Sequence, residues 1–301
     1  MNTSYSVPLG ENGRELLDRG TPLFPCSVYQ RDIRQYIAGE ITPHWHREME
    51  IFVLESGAVR LTLADGEYDI RPGEGYFVNA NILHGLSCRR EGSCRYRSMV
   101  FDPMIVSGAP GSAFDALYIR PFTEKGAAVC ILQRETDYGR RILELFDLAF
   151  WECKKEEEGY EFQVREALSR ILLLLKKNTP DAGAKVSARR DARMKWMISW
   201  LDSHYSEPVT VSQLAKASGT CVRECQKIFS DFLHISPMQY LIRRRIAAAA
   251  ELLEYSDLPV GEIGMNCGFE SPSYFAKQFR ELTGSAPREY RRRRRTERPV
   301  S

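Results

Sequence analysis

The C-terminal part of the chain contains one short pattern twice, and this repeat limits the fold more than any other feature of the 301 residues. The two copies lie 49 to 50 residues apart. The matched residues are Leu214, Ala215, Gly219, Lys227, Phe229, Pro237 and Tyr240 in the first copy and Ile263, Gly264, Gly268, Lys277, Phe279, Pro287 and Tyr290 in the second. Such a repeat predicts one supersecondary unit that is used twice.

Each copy predicts a short helix, a glycine and a second helix. The short helices are expected over 212–217 and 260–265, and Pro259 stands before the second of them. Glycine suits the turn because it adopts positive φ without a Cβ clash. In the second copy, Ser271 and Pro272 are typical of the N-cap and the first turn, so a helix is expected over 272–282. This pattern is that of a helix-turn-helix unit.

The charge of the chain is divided unequally between its two parts. Residues 187–301 carry 19 Lys and Arg against 13 Asp and Glu, whereas residues 1–186 carry 23 against 27. A basic part with two helix-turn-helix units indicates a nucleic-acid partner. A helix predicted over 236–254 joins the units. About 17 residues of helix span roughly 25 Å at 1.5 Å per residue, which would hold two recognition helices about one DNA turn apart.

The residues from about 193 to 292 resemble the DNA-binding domain of AraC/XylS-type transcription regulators. The resemblance rests on LAKASGTCVRECQKIF and on GF-x-x-x-S-Y-F-x-x-x-F followed by TG-x-x-P-x-x-Y-R, which runs from Gly268 to Arg291. Two positions depart from the family pattern. Cys221 replaces the usual Ser, and Gly264 replaces the usual Ala, so each helix is expected to lose about 1 kcal/mol or less.

The resemblance implies which side chains face the bases. In the first unit the implied DNA-binding residues are Arg223, Gln226 and Lys227, which share one helix face. In the second unit they are Ser273 and Lys277, flanked by Pro272 and Gln278. Arg and Lys donate to guanine and Gln pairs with adenine, each contact contributing about 1 to 3 kcal/mol of base discrimination. The alternative is that these are solvated helix faces.

Two further features of this part have a structural interpretation. Phe275 and Phe279 are predicted to be core residues rather than base-stacking aromatics. The arginine run 291–295 is expected to be a disordered, solvated terminus that adds sequence-independent affinity for DNA.

The N-terminal part predicts a small β-barrel or sandwich. Short alternating segments, such as 58–64, 67–70 and 75–79, are separated by glycine-containing turns. The fold class is therefore multidomain α and β, with an N-terminal barrel and an all-α C-terminal domain.

Residues 37–87 resemble the two motifs of the cupin fold. The motif GEITPHWHREMEIF places His44, His46 and Glu50 at positions of equal parity, which on one extended strand would point to one face. With His84, they fill the four positions that hold a metal in cupins. The second motif is looser, because Glu74 stands where glycine is usual.

The resemblance leaves the role of these four residues open. In cupin enzymes such a set holds a divalent metal, for which imidazole and carboxylate are suitable ligands. In AraC-type regulators the barrel serves as an effector pocket, and we expect His44, His46, Glu50 and His84 to line it for a sugar, another carbon source or an organic acid. We therefore expect no enzyme, no catalytic residue and no cofactor. The alternatives are a divalent metal at the same four residues, in a metal sensor or in a metal-dependent cupin enzyme fused to a DNA-binding domain.

Between the barrel and the DNA-binding domain, two amphipathic helices are predicted over 138–155 and 160–177. Their apolar stripes are expected to pack partly on the barrel, and the resemblance implies that one helix also forms a homodimer contact. Residues 178–191 are polar and contain Pro and Gly, as linkers do. The predicted domains are 1–135, 136–177, 178–191 and 192–295.

No segment is apolar over the ~20 residues that cross a bilayer, and the N-terminus has no apolar signal core. We therefore expect a cytoplasmic protein without membrane contact. The expected partners are promoter DNA, a small-molecule effector, a second copy of the chain and, if it activates, RNA polymerase.

Overall fold

The computed structural model describes residues 20–63, 66–89, 92–179 and 188–296. The N-terminal part contains two antiparallel sheets that share a core. The five-stranded sheet has the order β1 (Cys26–Asp32), β8 (Arg95–Phe101), β3 (Met49–Leu54), β6 (Gly75–Val78) and β9 (Val129–Leu132). The four-stranded sheet has the order β2 (Glu40–His44), β7 (His84–Cys88), β4 (Val59–Leu63) and β5 (Gly66–Ile70). This arrangement confirms the predicted β-rich domain.

Strand β3 is buried on both faces, and this decides where its one carboxylate lies. Met49, Ile51 and Val53 belong to the apolar cluster that the flanking helices share. Phe52 and Leu54 belong to the cluster between the two sheets. Since side chains alternate along a strand, Glu50 points to the same side as Phe52 and Leu54, into the barrel.

Helices cover the outer face of the five-stranded sheet. They are α1 (Met104–Ser107), α2 (Arg120–Lys125), α3 (Asp137–Lys155) and α4 (Tyr160–Asn178), and a π-helical turn, Asp115–Ile119, precedes α2. The predicted stripe of α4 is wholly buried, and that of α3 is buried except for the partly covered Leu145. Packing on the barrel and on each other therefore occupies both stripes, more fully than expected from the sequence.

The C-terminal part is all α. Its helices are α5 (Ala188–Ser203), α6 (Val211–Ala217), α7 (Val222–Leu233), α8 (Pro237–Tyr255), α9 (Val260–Asn266), α10 (Pro272–Thr283) and α11 (Pro287–Thr296). Helices α6 and α7 form the first helix-turn-helix unit and α9 and α10 the second. Gly219 and Gly268 turn between them with φ of 64° and 84°, as the repeat predicts.

Two expectations about this part are wrong. Helix α5 begins at Ala188, so the end of the predicted linker 178–191 is helical, while residues 180–187 lie outside the described residues. The arginine run is not a disordered tail up to residue 296. It forms half of α11, which the buried Tyr290 anchors in the second unit's core, and Arg291 donates to the carbonyl of Leu258 at 2.6 Å.

The two departures from the family pattern have different effects. Cys221 is the N-cap of α7, and its side chain makes no capping hydrogen bond, as expected. Gly264 behaves otherwise, because a Cβ there would lie 2.8 Å from Cδ1 of Phe275. An alanine would displace that ring, so the glycine is not simply a weaker helix former at this position.

Candidate functional site

Three histidines meet inside the barrel. His44 ends β2 and lies opposite His84, the first residue of β7, while His46 follows in the connection to β3. Their ligand nitrogens lie within 4.8 Å of one another, and all three side chains are buried. The three histidines that the sequence singled out therefore lie close together.

Glu50 completes the cluster from β3, in the opposite sheet. Its Oε2 lies 3.4 Å from Nε2 of His46 and 3.2 Å from Nε2 of His84. The sequence-based explanation, that equal parity along one extended strand points these side chains to one face, is wrong because His44 and Glu50 lie on different strands. A bulge between Ile41 and His44 and the turn after β2 bring them together instead. Such bulges re-aim side chains and are frequent beside functional sites.

The other ring nitrogens fix the orientation of the imidazoles. Nδ1 of His44 lies 2.9 Å from the Thr42 carbonyl, Nδ1 of His46 lies 3.0 Å from that of Glu48, and Nδ1 of His84 lies 2.9 Å from that of Ile82. A carbonyl oxygen only accepts, so each Nδ1 carries the proton. Each ring then turns its Nε2 toward the centre of the cluster.

This arrangement requires a positive charge near Glu50. A neutral Nε2 lone pair facing a carboxylate oxygen at 3.2 to 3.4 Å gains nothing, whereas a proton or a metal ion between them makes both contacts favourable. Burial opposes the charge of Glu50, but the hydrogen bonds with His46 and His84 outweigh it and hold the pKa of Glu50 well below its ordinary value. Burial, together with the neighbouring imidazoles, lowers the pKa of His44.

The buried hydroxyl of Tyr76 lies near Glu50 and has no hydrogen-bond partner in the described part of the chain. Burial, and then the charge of Glu50, raises the pKa of Tyr76, so its hydroxyl keeps its proton. An unpaired buried hydroxyl is costly unless a ligand or water satisfies it.

The donor set fits a divalent metal. Three imidazole nitrogens and one carboxylate oxygen suit zinc, iron or manganese, and Nδ1–H bonds to carbonyls are the usual support of metal-bound histidines. His44, His46, His84 and Glu50 would hold the ion, which would act there as a Lewis acid toward a bound ligand.

The implied DNA-binding residues lie on the two recognition helices. Arg223, Gln226 and Lys227 are exposed on α7, and Pro272, Ser273 and Lys277 are exposed on α10. Gln278 is partly buried and donates to Glu281 at 2.8 Å. Phe275 and Phe279 are core residues, as predicted. Tyr274 is 46% exposed beside Ser273, which leaves it accessible to a DNA base.

The barrel contacts the first unit close to the histidine cluster. Trp45, between His44 and His46, and Leu83, next to His84, pack in the core of the first unit. Nζ of Lys195 on α5 donates to the Asn81 carbonyl at 2.6 Å and lies 5.5 Å from the centre of the Trp45 ring.

A second group of contacts involves the other unit. Arg243 on α8 pairs with Glu40 on β2, and Ile37 packs against the second unit's core. Helix α10 of the second unit contacts the turn Ile37–Gly39, while α7 of the first unit contacts β4. These contacts have no signal in the sequence, because no local pattern links positions as far apart as Glu40 and Arg243.

Family models match both parts of the chain. Residues 33–173 match the AraC-like ligand binding domain, and residues 214–293 match a helix-turn-helix domain. The chain belongs to the AraC family of transcriptional regulators. It is thus a transcription regulator with a ligand-binding barrel and a DNA-binding helix-turn-helix domain.

Relatives within the AraC family agree with this assignment. The chain is 25% identical over 291 residues to the uncharacterized HTH-type transcriptional regulator YdeC of Bacillus subtilis, covering 94% of this chain and 97% of YdeC. It is 32% identical over 124 residues to the HTH-type transcriptional activator RhaS of Escherichia fergusonii, covering 41% of this chain and 44% of RhaS.

Two solved structures are also similar. The DNA-binding domain of AdpA in complex with a target DNA is 34% identical, with a TM-score of 0.34, covering 35% of this chain and 95% of that domain. ToxT from Vibrio cholerae is 13% identical, with a TM-score of 0.45, covering 89% of this chain and 96% of ToxT. None of the helices within the described ranges is both long and apolar enough to cross a membrane.

Proposed function

We propose that this regulator binds a small polar effector at His44, His46, Glu50 and His84, and that the bound effector changes how the two recognition helices meet promoter DNA. The observation that carries the proposal is the position of the cluster. It contains buried, convergent polar groups, and the residues next to its histidines contact the DNA-binding domain.

The path from the cluster to the first unit is short. The Asn81 backbone N–H donates to the His46 carbonyl at 2.8 Å, and the Asn81 carbonyl accepts from Lys195 at 2.6 Å. Trp45 adds an apolar contact on the same side. A shift of His46 on ligand binding therefore reaches α5 through one residue. Coupling further requires that the effector bind the free and the DNA-bound arrangements with unequal affinity.

The contacts of the second unit determine what the effector has to change. Helix α10 contacts the turn Ile37–Gly39, and the pair Arg243–Glu40 holds α8 beside it. A recognition helix enters the major groove of DNA only if the barrel does not block its exposed face. In our proposal, the effector loosens this contact in a homodimer that reads two half-sites, and no chemical turnover is needed. The effector in this proposal is a sugar or another carbon source, which fits the hydrogen-bonding groups of the cluster. The regulator acts in the cytoplasm, where promoter DNA lies.

A metal sensor, or a metal-assisted effector site, is the second candidate. It is favoured by the three Nδ1–H bonds to carbonyls, which leave Nε2 of each histidine available to a metal in the cluster. The two candidates share the same residues and the same contact with the first unit.

Metal content separates them. Protein purified without a tag or chelator is analysed by mass spectrometry for metals, beside a His44→Ala/His46→Ala variant and a His204→Ala control, whose histidine is partly buried against Trp200 on α5. About one ion per chain, lost only in the double variant, supports the metal-bound site. Absence of metal in all three samples leaves the organic-effector proposal.

The effector proposal is tested with sugars and organic acids in a thermal-shift screen of the same three proteins. Compounds that raise the unfolding temperature of the wild type and the control, but not of the double variant, are then titrated into a complex with DNA selected from a random library. The proposal predicts a change in DNA affinity of about 5- to 150-fold. A compound that binds at the cluster without changing DNA affinity contradicts it.

A further inference from the structure

A cavity of about 340 Å³ lies outside the barrel, between α4 and residues 106–122. This volume is within the range of small-molecule sites, about 300 to 1,000 Å³. Its lining residues are Val106, Phe114, Tyr118, Ile119, Phe122, Ser169, Arg170, Leu172, Leu173 and Lys176. None of them belongs to the histidine cluster, to a recognition helix or to the contact between the barrel and the DNA-binding domain.

The walls of this cavity are apolar and come from both sides. The π-helical turn contributes Tyr118 and Ile119, and α2 contributes Phe122. Leu172 and Leu173 of α4 form the opposite wall, where Leu172 is buried and Leu173 is 43% exposed. Such π-helical turns are rare and often occur at functional sites. The recess is therefore a preformed slot into which an apolar group fits.

The charged residues that line the cavity are both basic. Arg170 and Lys176 border the cavity, and no Asp or Glu is among its described lining residues. Arg170 lies 3.7 Å from Glu166, but both side chains are largely exposed, so that pair is weak. The cavity thus combines an apolar interior with two cations on α4, which complements a ligand with an apolar body and one negative group.

We propose that this cavity binds a monocarboxylate with an apolar body, such as a medium-chain fatty acid, as a second ligand site of the regulator. The acyl chain lies between α4 and the π-helical turn, and the carboxylate meets Arg170 and Lys176. A second copy of the chain is the other conceivable occupant, but a packed helix would meet two cations in the lining and would leave the recess behind Leu173 unfilled.

The test uses the full-length protein with decanoate and with 1-decanol, both below the concentrations at which they aggregate. Isothermal titration should give about one decanoate per chain and at least tenfold weaker binding of the uncharged alcohol. Arg170→Gln/Lys176→Gln should reduce decanoate affinity about tenfold and leave 1-decanol unchanged. Lys177→Gln, on the same helix but outside the lining, is the matched control and should bind decanoate as the wild type does.

Further variants place the ligand. Leu173→Trp fills the recess from a half-exposed position that tolerates a larger side chain, and it should abolish binding of decanoate. His44→Ala/His46→Ala should retain this binding, because the cluster lies elsewhere. The proposal is overturned if decanoate does not bind, if Leu173→Trp binds it normally, or if the double histidine variant loses it. It is also overturned if light scattering shows a dimer that Leu173→Trp dissociates and decanoate does not affect.

Discussion

The two helix-turn-helix units share a repeat but not the means by which their recognition helices are held. In the second unit, the Ser271 side chain caps α10, Pro272 opens the helix, and Gly284 ends it with φ of 75°. In the first unit, Cys221 caps nothing, and α7 ends at His234 with φ of 54°, an unusual conformation for a residue with a Cβ. The first helix therefore depends more on tertiary contacts, and Trp45 and Leu83 of the barrel are among them.

The largest expected effect concerns a buried carboxyl in the first unit. Burial raises the pKa of Asp202 to about 7, although Arg244 and the hydroxyl of Tyr240 act in the opposite direction. A folded pKa above the unfolded value of 3.8 means that the native state binds the proton more tightly. The free energy of unfolding should therefore fall as the pH rises from about 4 to 7, by roughly 2 to 4 kcal/mol.

The Asp202→Asn variant should lose this pH dependence and be the more stable protein at pH 8. Urea unfolding of the full-length chain, followed by circular dichroism between pH 5 and 8, measures it. Glu262→Gln, an exposed carboxyl of the second unit, is the control and should keep the wild-type slope. An unchanged slope in Asp202→Asn would show that Asp202 is already ionised in the native protein.

Substitutions of the two recognition-helix lysines should have a smaller effect, on base preference. Lys227→Ala and Lys277→Ala should each relax base preference at a different half-site position, by about 1 to 3 kcal/mol. Arg293→Ala, in the exposed part of α11, should weaken binding to specific and random DNA alike and flatten the salt dependence. Competition binding to a library of single-base variants measures these effects. Loss of preference at the same position in both lysine variants would argue against the assignment.

Capping should affect the two units in opposite directions. Cys221→Ser should stabilise α7 by up to about 1 kcal/mol, because it supplies the missing cap, whereas Ser271→Ala should destabilise α10 by about 1 kcal/mol. Unfolding free energies from urea titration give both values, with Ser230→Ala on the exposed side of α7 as a control. An equal loss of unfolding free energy in both variants would mean that the Cys221 side chain already stabilises the folded protein.

The smallest effect concerns Gly264. Helix propensity alone predicts that Gly264→Ala gains up to about 1 kcal/mol. Because the new Cβ would lie 2.8 Å from the Phe275 ring, we expect this gain to be cancelled or reversed. The Gly264→Ala/Phe275→Leu double variant relieves the crowding and should recover part of the gain. A clear gain in stability of the single variant would mean that the ring moves freely.

Local signals explain which parts of the structure the sequence predicts. Ser271, Pro272 and Gly268 act on their own neighbours in the chain, so α10 and its turn were placed within one residue. Helix α5 was missed, although Met194, Met197, Ile198 and Leu201 have helical spacing and are buried. The arginine run was misjudged because Tyr290, one residue before it, anchors it to a core that composition does not show.

The candidate site was predicted by residue but not by geometry. The histidines and Glu50 converge through a bulge and a turn, which depend on the pairing of β2 with β7 and not on parity along one strand. The contacts of Glu40 with Arg243 and of Trp45 with Lys195 join residues far apart in the chain, so no local pattern contains them. The apolar cavity beside α4 likewise requires two distant segments to meet.

The most direct measurement of the central claim is the DNA affinity of the intact regulator with and without a ligand of the histidine cluster. The ligand is the metal or compound that stabilises the wild type but not His44→Ala/His46→Ala, and affinity is read by fluorescence anisotropy. The account predicts a change of about fivefold or more in the wild type. This change should disappear in Lys195→Ala/Arg243→Ala, although the ligand still binds. Equal DNA affinity of the wild type with and without the bound ligand would contradict the account.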